Sequence, residues 1–150
     1  MDIKFKKDFI MIDLNETNRD DLFHLVVEKL MKEGVVEEGY GDDLLERERN
    51  FPTGLLVGDI NVAIPHANHR YVNRSCVVLC RLNKPIEFFR MDEPTEEVSV
   101  SLVFFLVLEK SEEHLKMLQN IVEIVQNQDT MKKLITAKNA DQILETVNSR

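Results

Sequence analysis

Apolar positions along the chain change period repeatedly, and each change predicts a different element. Phe9 to Leu14 reads as a first strand, closed by Asn15. Thr17 or Asn18 can cap a helix that starts near Arg19, with Leu22, Leu25, Val26, Leu30 and Met31 on one face and Gly34 at its end. His24 falls within this helix and is expected at its surface. Val35 to Gly41 is a break. Asp42 to Asn50 predicts a second helix, with Leu44 and Leu45 inward and Glu46, Arg47, Glu48 and Arg49 polar. Pro52-Thr53-Gly54 is a turn signal.

Two short apolar runs follow, Leu55 to Val57 and, past Gly58, Val62 to Ile64. Ser75 to Leu82 is a β run rich in branched and apolar residues. Asn83 to Pro85 predicts a turn, Ile86 to Phe89 a short strand, and Met91 to Glu97 an exposed acidic loop containing Pro94. Val98 to Leu108 alternates at first and then becomes continuously apolar, as suits a central strand covered on both faces. Beyond it the period turns helical. Ser111 with Glu112, Glu113 and His114 resembles an N-cap and an acidic first turn. Leu115, Leu118, Ile121, Val122 and Val125 form a stripe, and shorter helices are predicted over Thr130 to Ile135 and Asn139 to Val147. The pattern predicts a single α/β domain over residues 1–150, with a mixed sheet of about five strands flanked by helices.

Composition changes this picture little. An apolar share of 43% over 150 residues is enough for a sizeable core. A formal net charge of −8 argues against general nucleic-acid binding. Cys76 and Cys80 would face the same way on a strand but too far apart for a disulfide, since a strand rises about 3.3 Å per residue. Reduced thiols point to a reducing compartment. The apolar stretch between Asp8 and Asp13 is too short for a signal peptide, and no run reaches the length of a membrane span. A cytoplasmic protein without membrane insertion is expected.

The candidate chemistry narrows to histidine. Neither HExxH nor CxxC occurs, the serines lack a GxSxG elbow, and no P-loop or GxGxxG is present. No metal or cofactor is therefore expected. Of His24, His66, His69 and His114, His66 stands out because it follows Pro65 at the end of a rigid apolar run. Pro65 fixes its own φ and pushes Ile64 toward an extended conformation, which presents the ring at a sheet edge. A neutral imidazole is a good nucleophile near neutral pH. Arg47 and Arg49 are both candidates to flank an anion, as is His114. Thr53 could bond a phosphate oxygen or only stabilise its turn.

Ala63-Ile64-Pro65-His66-Ala67, preceded by Arg47-Glu48 and Pro52-Thr53-Gly54, resembles the active-site signature of enzyme IIA domains of the fructose/mannitol type, from the bacterial sugar phosphotransferase system. The similarity runs over nearly the whole chain and includes Glu113-His114-Leu115. The Phe-Pro-Thr-Gly-Leu wording and the long spacer before His66 look most like the galactitol branch. That spacer is three residues longer than in many members, with Asp59 and Asn61 where small residues are usual.

The resemblance implies that His66 takes a phosphoryl group from phosphorylated HPr. It then passes the group to a cysteine of the cognate enzyme IIB, and through that complex serves enzyme IIC in the uptake of a sugar or polyol, galactitol in this branch. It favours Arg47 over Arg49 as the clamp on the phosphoryl oxygens, with His114 as a hydrogen-bond donor and Thr53 as a phosphate-binding residue. Two other roles fit the same residues. One is a regulatory module whose histidine phosphorylation controls a protein target; the other is a non-catalytic binding scaffold. Phe51, Leu55, Leu56 and Val57 are candidates for an apolar docking rim.

Overall fold

The computed structural model describes residues 5–148; the first four residues of the N-terminal stretch lie outside that range. A mixed five-stranded sheet separates two layers of helices, in the strand order β1-β4-β5-β3-β2. The strands are β1 (Ile10–Leu14), β2 (Gly54–Leu55), β3 (Val62–Ala63), β4 (Cys76–Phe89) and β5 (Glu97–Val107). The helices are α1 (Arg19–Lys32), α2 (Tyr40–Asn50), α3 (Ser111–Gln126), α4 (Gln128–Thr136) and α5 (Ala140–Asn148). β4 and β5 form a long antiparallel pair, β1 runs parallel to β4, and β3 runs parallel to β5.

β5 is the central strand, as its continuous hydrophobicity predicts. Val103, Phe105 and Val107 face the layer built by α1 and α2, while Leu102, Phe104 and Leu106 face α3, α4 and α5. All six are buried. Phe105 meets Phe23 of α1 edge-on, with ring centroids 5.2 Å apart. Cys76 and Cys80 are free thiols in the first layer. Burial pushes the Cys76 thiol up to about 12 and holds Cys80 above its usual range too.

The helix ends follow their local chemistry. Asn18 caps α1 by accepting the Asp21 backbone N–H at 2.8 Å. Gly34, at φ +72°, closes α1 with paired bonds from Gly34 N to Met31 O and Val35 N to Leu30 O. Arg81 on β4 donates to the carbonyls of Leu134 at 3.0 Å and Ala137 at 2.6 Å, which covers the C-terminal end of α4.

Several expectations are corrected. α2 starts at Tyr40 rather than Asp42. α1 buries Phe23 and Val27 along with Leu22, Val26 and Leu30, whereas Leu25 is only half-buried and Met31 is exposed. α3 turns Met117, Ile121, Ile124 and Val125 inward; Leu118 and Val122 lie at its margin and Leu115 is exposed. Its N-cap is Lys110, not Ser111, and Glu113 Oε1 accepts the Lys110 N–H at 3.2 Å. Asn83 to Pro85 does not reverse the chain. β4 runs through it, and pairing with β5 shifts register between Arg81 and Ile86. Pro85 has no N–H to donate, so it is accommodated where the ladder is interrupted. Leu56 and Val57 leave the sheet after β2, and Asn61 Oδ1 gathers the N–H groups of Val57 and Gly58 at 2.8 and 3.1 Å.

Removing the Phe105 ring from between the layers is expected to cost about 3–5 kcal/mol. Asn18→Ala should cost about 1 kcal/mol through its lost cap. Urea unfolding of both variants checks the ranking.

Candidate active site

The site forms where the chain leaves β3 and β5, two parallel strands whose C-terminal ends lie side by side. β3 itself is short. Its line continues beyond the ladder because Pro65 O accepts the Leu106 N–H at 3.0 Å, which makes a parallel bridge between His66 and Leu106. β5 ends immediately afterwards, and α3 follows with His114 in its first turn. The two imidazoles therefore reach the same sheet edge, with ring centroids 5.4 Å apart and planes inclined at 48°.

His66 is half-buried, and its Nδ1 lies 2.9 Å from the Ile64 carbonyl oxygen. A carbonyl can only accept, so Nδ1 carries the proton and the neutral ring keeps its lone pair on Nε2. Burial lowers the pKa of His66; the Ile64 carbonyl opposes this, and the charges of His114 and Arg47 add to it. The ring thus stays uncharged at neutral pH. His114 is also lowered, first by burial, against its bond to the Ser111 backbone, and further by Arg47 and His69. Its buried Nε2 has no hydrogen-bond partner.

The head of α3 is fixed to the start of β4. Ser75 Oγ donates to Glu113 Oε1 at 2.8 Å and accepts the Glu109 N–H at 2.9 Å. The loop after His66 is held by Asp43, which accepts the Asn68 N–H at 2.8 Å. Neither support was singled out by sequence reasoning, because a Ser–Glu or Asp–backbone pair far apart in sequence leaves no local pattern.

Arg47 and Arg49, which periodicity could not separate, have different surroundings. Arg49 lies 3.5 Å from Asp20 in an exposed ion pair. The Arg47 side chain forms no ion pair or hydrogen bond among the described residues; its guanidinium sits 5.7 Å from the Phe51 ring centroid and acts electrostatically on both His66 and His114. Of the two roles expected for Thr53, contact with a phosphate oxygen or support of its turn, the structure shows the second. Thr53 is buried, and its hydroxyl donates to Glu48 Oε1 at 2.8 Å, so its proton is already committed to the turn. Glu48, expected on a polar face, is only 2% exposed. Burial pushes its carboxyl up to about 7, against two hydrogen bonds from Thr53 and the charge of Arg19.

Of the residues expected to form an apolar rim, Phe51 is 67% and Leu56 56% exposed, while Leu55 and Val57 are half-buried; Leu115 is 66% exposed. Leu115 was expected in the core and instead stands beside His114 at the open end of the helix. Among the described residues, no group of three or more His, Cys, Asp or Glu is placed to hold a metal. No described helix is long and apolar enough to cross a membrane.

An uncharged nitrogen nucleophile, a second imidazole and an unpaired guanidinium at one apolar-rimmed edge suit a protein that handles an anionic group in transit between partners. Residues 4–150 match the family described as phosphoenolpyruvate-dependent sugar phosphotransferase system, EIIA 2, and the chain belongs to it. It is thus a phosphoryl-transfer component of that system. The galactitol-specific EIIA component of Escherichia coli K12 is 28% identical over 128 residues, covering 85% of each chain. The mannitol-specific enzyme IIA component of Bacillus subtilis is 28% identical over 141 residues, covering 91% of this chain and 92% of its own. Among solved structures, a chain of the complex of mannitol enzyme IIA and phosphorylated enzyme IIB from Escherichia coli superposes with a TM-score of 0.82, with 20% identity over 99% of both chains.

The His66 imidazole should titrate below the ordinary value of 6.5, with Nδ1 as the protonated nitrogen of its neutral form. Nitrogen-15 NMR across a pH series reads both properties. Because protonation blocks the nucleophile, acceptor activity should persist through neutral pH and fall only below the usual histidine range.

Proposed function

We propose that His66 accepts a phosphoryl group from phosphorylated HPr and passes it to a cysteine of the cognate enzyme IIB. The reading works in the cytoplasm and, through the IIB complex, feeds the enzyme IIC transporter. The observation that carries it is the approach of the two imidazoles to 5.4 Å, with the Arg47 guanidinium, whose side chain makes no ion pair or hydrogen bond among the described residues, acting electrostatically on both. Nε2 of His66 attacks phosphorus in line as the bond from phosphorus to HPr breaks, and the phosphoryl group keeps its charge throughout. In the second half the thiolate of IIB attacks, and the electron pair of the N–P bond returns to Nε2.

Arg47 neutralises the equatorial oxygens through its planar fork of donors. It is exposed and unpaired, so it can swing to the group without breaking an existing bond. His114 has its other ring nitrogen engaged by the Ser111 backbone, so its Nε2 donates once it takes up a proton. The arriving phosphoryl charge favours that protonation. Phe51, Leu56 and Leu115 supply the apolar rim on which two different proteins dock in turn.

Galactitol is the proposed substrate of the pathway served. Its support is the likeness to the galactitol-specific component, together with the long spacer between Gly54 and His66.

His66→Ala is expected to fold normally and take no phosphate from phosphorylated HPr; normal labelling refutes the assignment. Arg47→Ala should slow transfer on the order of 100-fold while His66 stays labelled. Mixing the phosphorylated protein with a panel of purified IIB proteins identifies the sugar branch. Labelling of His66 with no transfer to any IIB would favour a regulatory role instead.

A further inference from the structure

Behind the site lies a buried carboxylate that the transfer chemistry does not use. Glu48 follows Arg47 on α2 but faces inward, and both of its oxygens are engaged by one residue. Oε2 accepts the Thr53 N–H and Oε1 accepts the Thr53 hydroxyl, each at 2.8 Å. Thr53 O accepts the Ile64 N–H at 3.2 Å, and Ile64 O accepts the proton on His66 Nδ1 at 2.9 Å. An unbroken series of hydrogen bonds therefore runs from the helix that carries Arg47 to the imidazole of His66.

A turn cap alone would not need such a group. Burying a carboxyl is costly, and a short neutral acceptor could satisfy the Thr53 N–H at lower cost. What a glutamate adds is reach, from the helix axis across to the strand that enters the site. At this end of α2, among the described residues, the backbone tie is Phe51 N to Arg47 O at 2.7 Å, and the Phe51 ring is exposed to solvent. Asp43, one turn earlier on α2, already ties that helix to the loop after His66 through the Asn68 N–H, so the carboxylate adds a second tie at the Arg47 end, and without it that end can shift relative to the His66 segment. Pro65, bonded to Leu106, would hold its place on β5 while the guanidinium moved.

We propose that Glu48 is a positioning residue for phosphoryl transfer, fixing the separation between the Arg47 guanidinium and the His66 imidazole through Thr53 and Ile64. The proposal rests on the reading of His66 as acceptor and Arg47 as clamp. Misplacing a charge-stabilising group by a fraction of an ångström lowers the rate of the step without weakening encounter with the donor. Glu48 therefore acts on kcat and leaves KM for phosphorylated HPr nearly unchanged.

The test compares wild type, Glu48→Ala, Glu48→Gln and Thr53→Val for acceptance of phosphate from phosphorylated HPr, with circular dichroism to measure the folded fraction. Glu48→Ala should lower kcat at least about tenfold per folded molecule, with KM within about twofold of wild type. Glu48→Gln keeps an acceptor for the Thr53 N–H and can donate its amide to the Thr53 hydroxyl, so it should recover to within about threefold. Thr53→Val removes one of the two bonds and should fall between them, and it carries the test if Glu48→Ala does not fold. An unchanged kcat in a folded Glu48→Ala or Thr53→Val protein overturns the proposal. So does a loss confined to KM, or a Gln variant as slow as the Ala variant. Wild-type protein that takes no label on His66 would instead overturn the underlying reading.

Discussion

The bridge between His66 and Leu106 is the contact on which the site depends. It does two things with one backbone hydrogen bond. It carries the line of β3 beyond its two paired residues, so that His66 does not sit on a free loop. It also ties the histidine to β5, the most buried strand of the sheet. The short link from β5 to α3 then delivers His114 to the same place. A strand that cannot move without disturbing both hydrophobic layers thus sets the geometry of two polar side chains at its end. The layers themselves are ordinary. Large apolar residues alternate across β5 and meet the inward stripes of helices on either side.

The same logic explains the electrostatics. Both rings lie at the margin of the packed layers, near enough to apolar surroundings for burial to disfavour their charged forms. The His114 ring adds to this at His66, the His69 ring adds to it at His114, and the Arg47 charge acts on both. Positive charge is therefore held off the imidazoles, while one guanidinium stays available at the surface. Arrival of an anion reverses this balance, because each unfavourable proximity between cations becomes a shared favourable one. In the proposed role, the transferred group would meet charges already in place, with little reorganisation at the moment of reaction.

Much of this architecture was legible in the sequence. β1, α1 with a cap at Thr17 or Asn18, the doubly covered β5, the short terminal helices and the placement of His66 after Pro65 all followed from period, capping chemistry and the restriction that proline imposes. The misreadings share a cause, which is that local rules do not see partners distant in the chain. Leu115 has the right spacing for a core stripe, but it precedes the point where α3 meets the sheet. Glu48 has the sequence signature of a solvated charge, and only its bonds to Thr53 make burial tolerable. Thr53 looked like an available hydroxyl because nothing nearby in sequence shows that Glu48 reaches it. Pro85 marks a turn in most contexts, and here a lapse in the β4–β5 ladder absorbs it. Arg47 and Arg49 differ by less than a turn of helix, and the nearby Asp20 is what separates their roles.

The segment between Leu55 and Asn61 has a consequence for how this protein can diverge. Asn61 collects the loop on itself through its side chain, while its backbone carbonyl accepts the Ser101 N–H at 3.0 Å and so anchors the segment to the central sheet. Residues upstream of that anchor can be added, deleted or exchanged, and the chain still re-enters the sheet at one fixed point. The surface of that loop and the position of His66 are thus mechanically decoupled: sequence on one side of Asn61 can vary while the strand on the other side keeps its place.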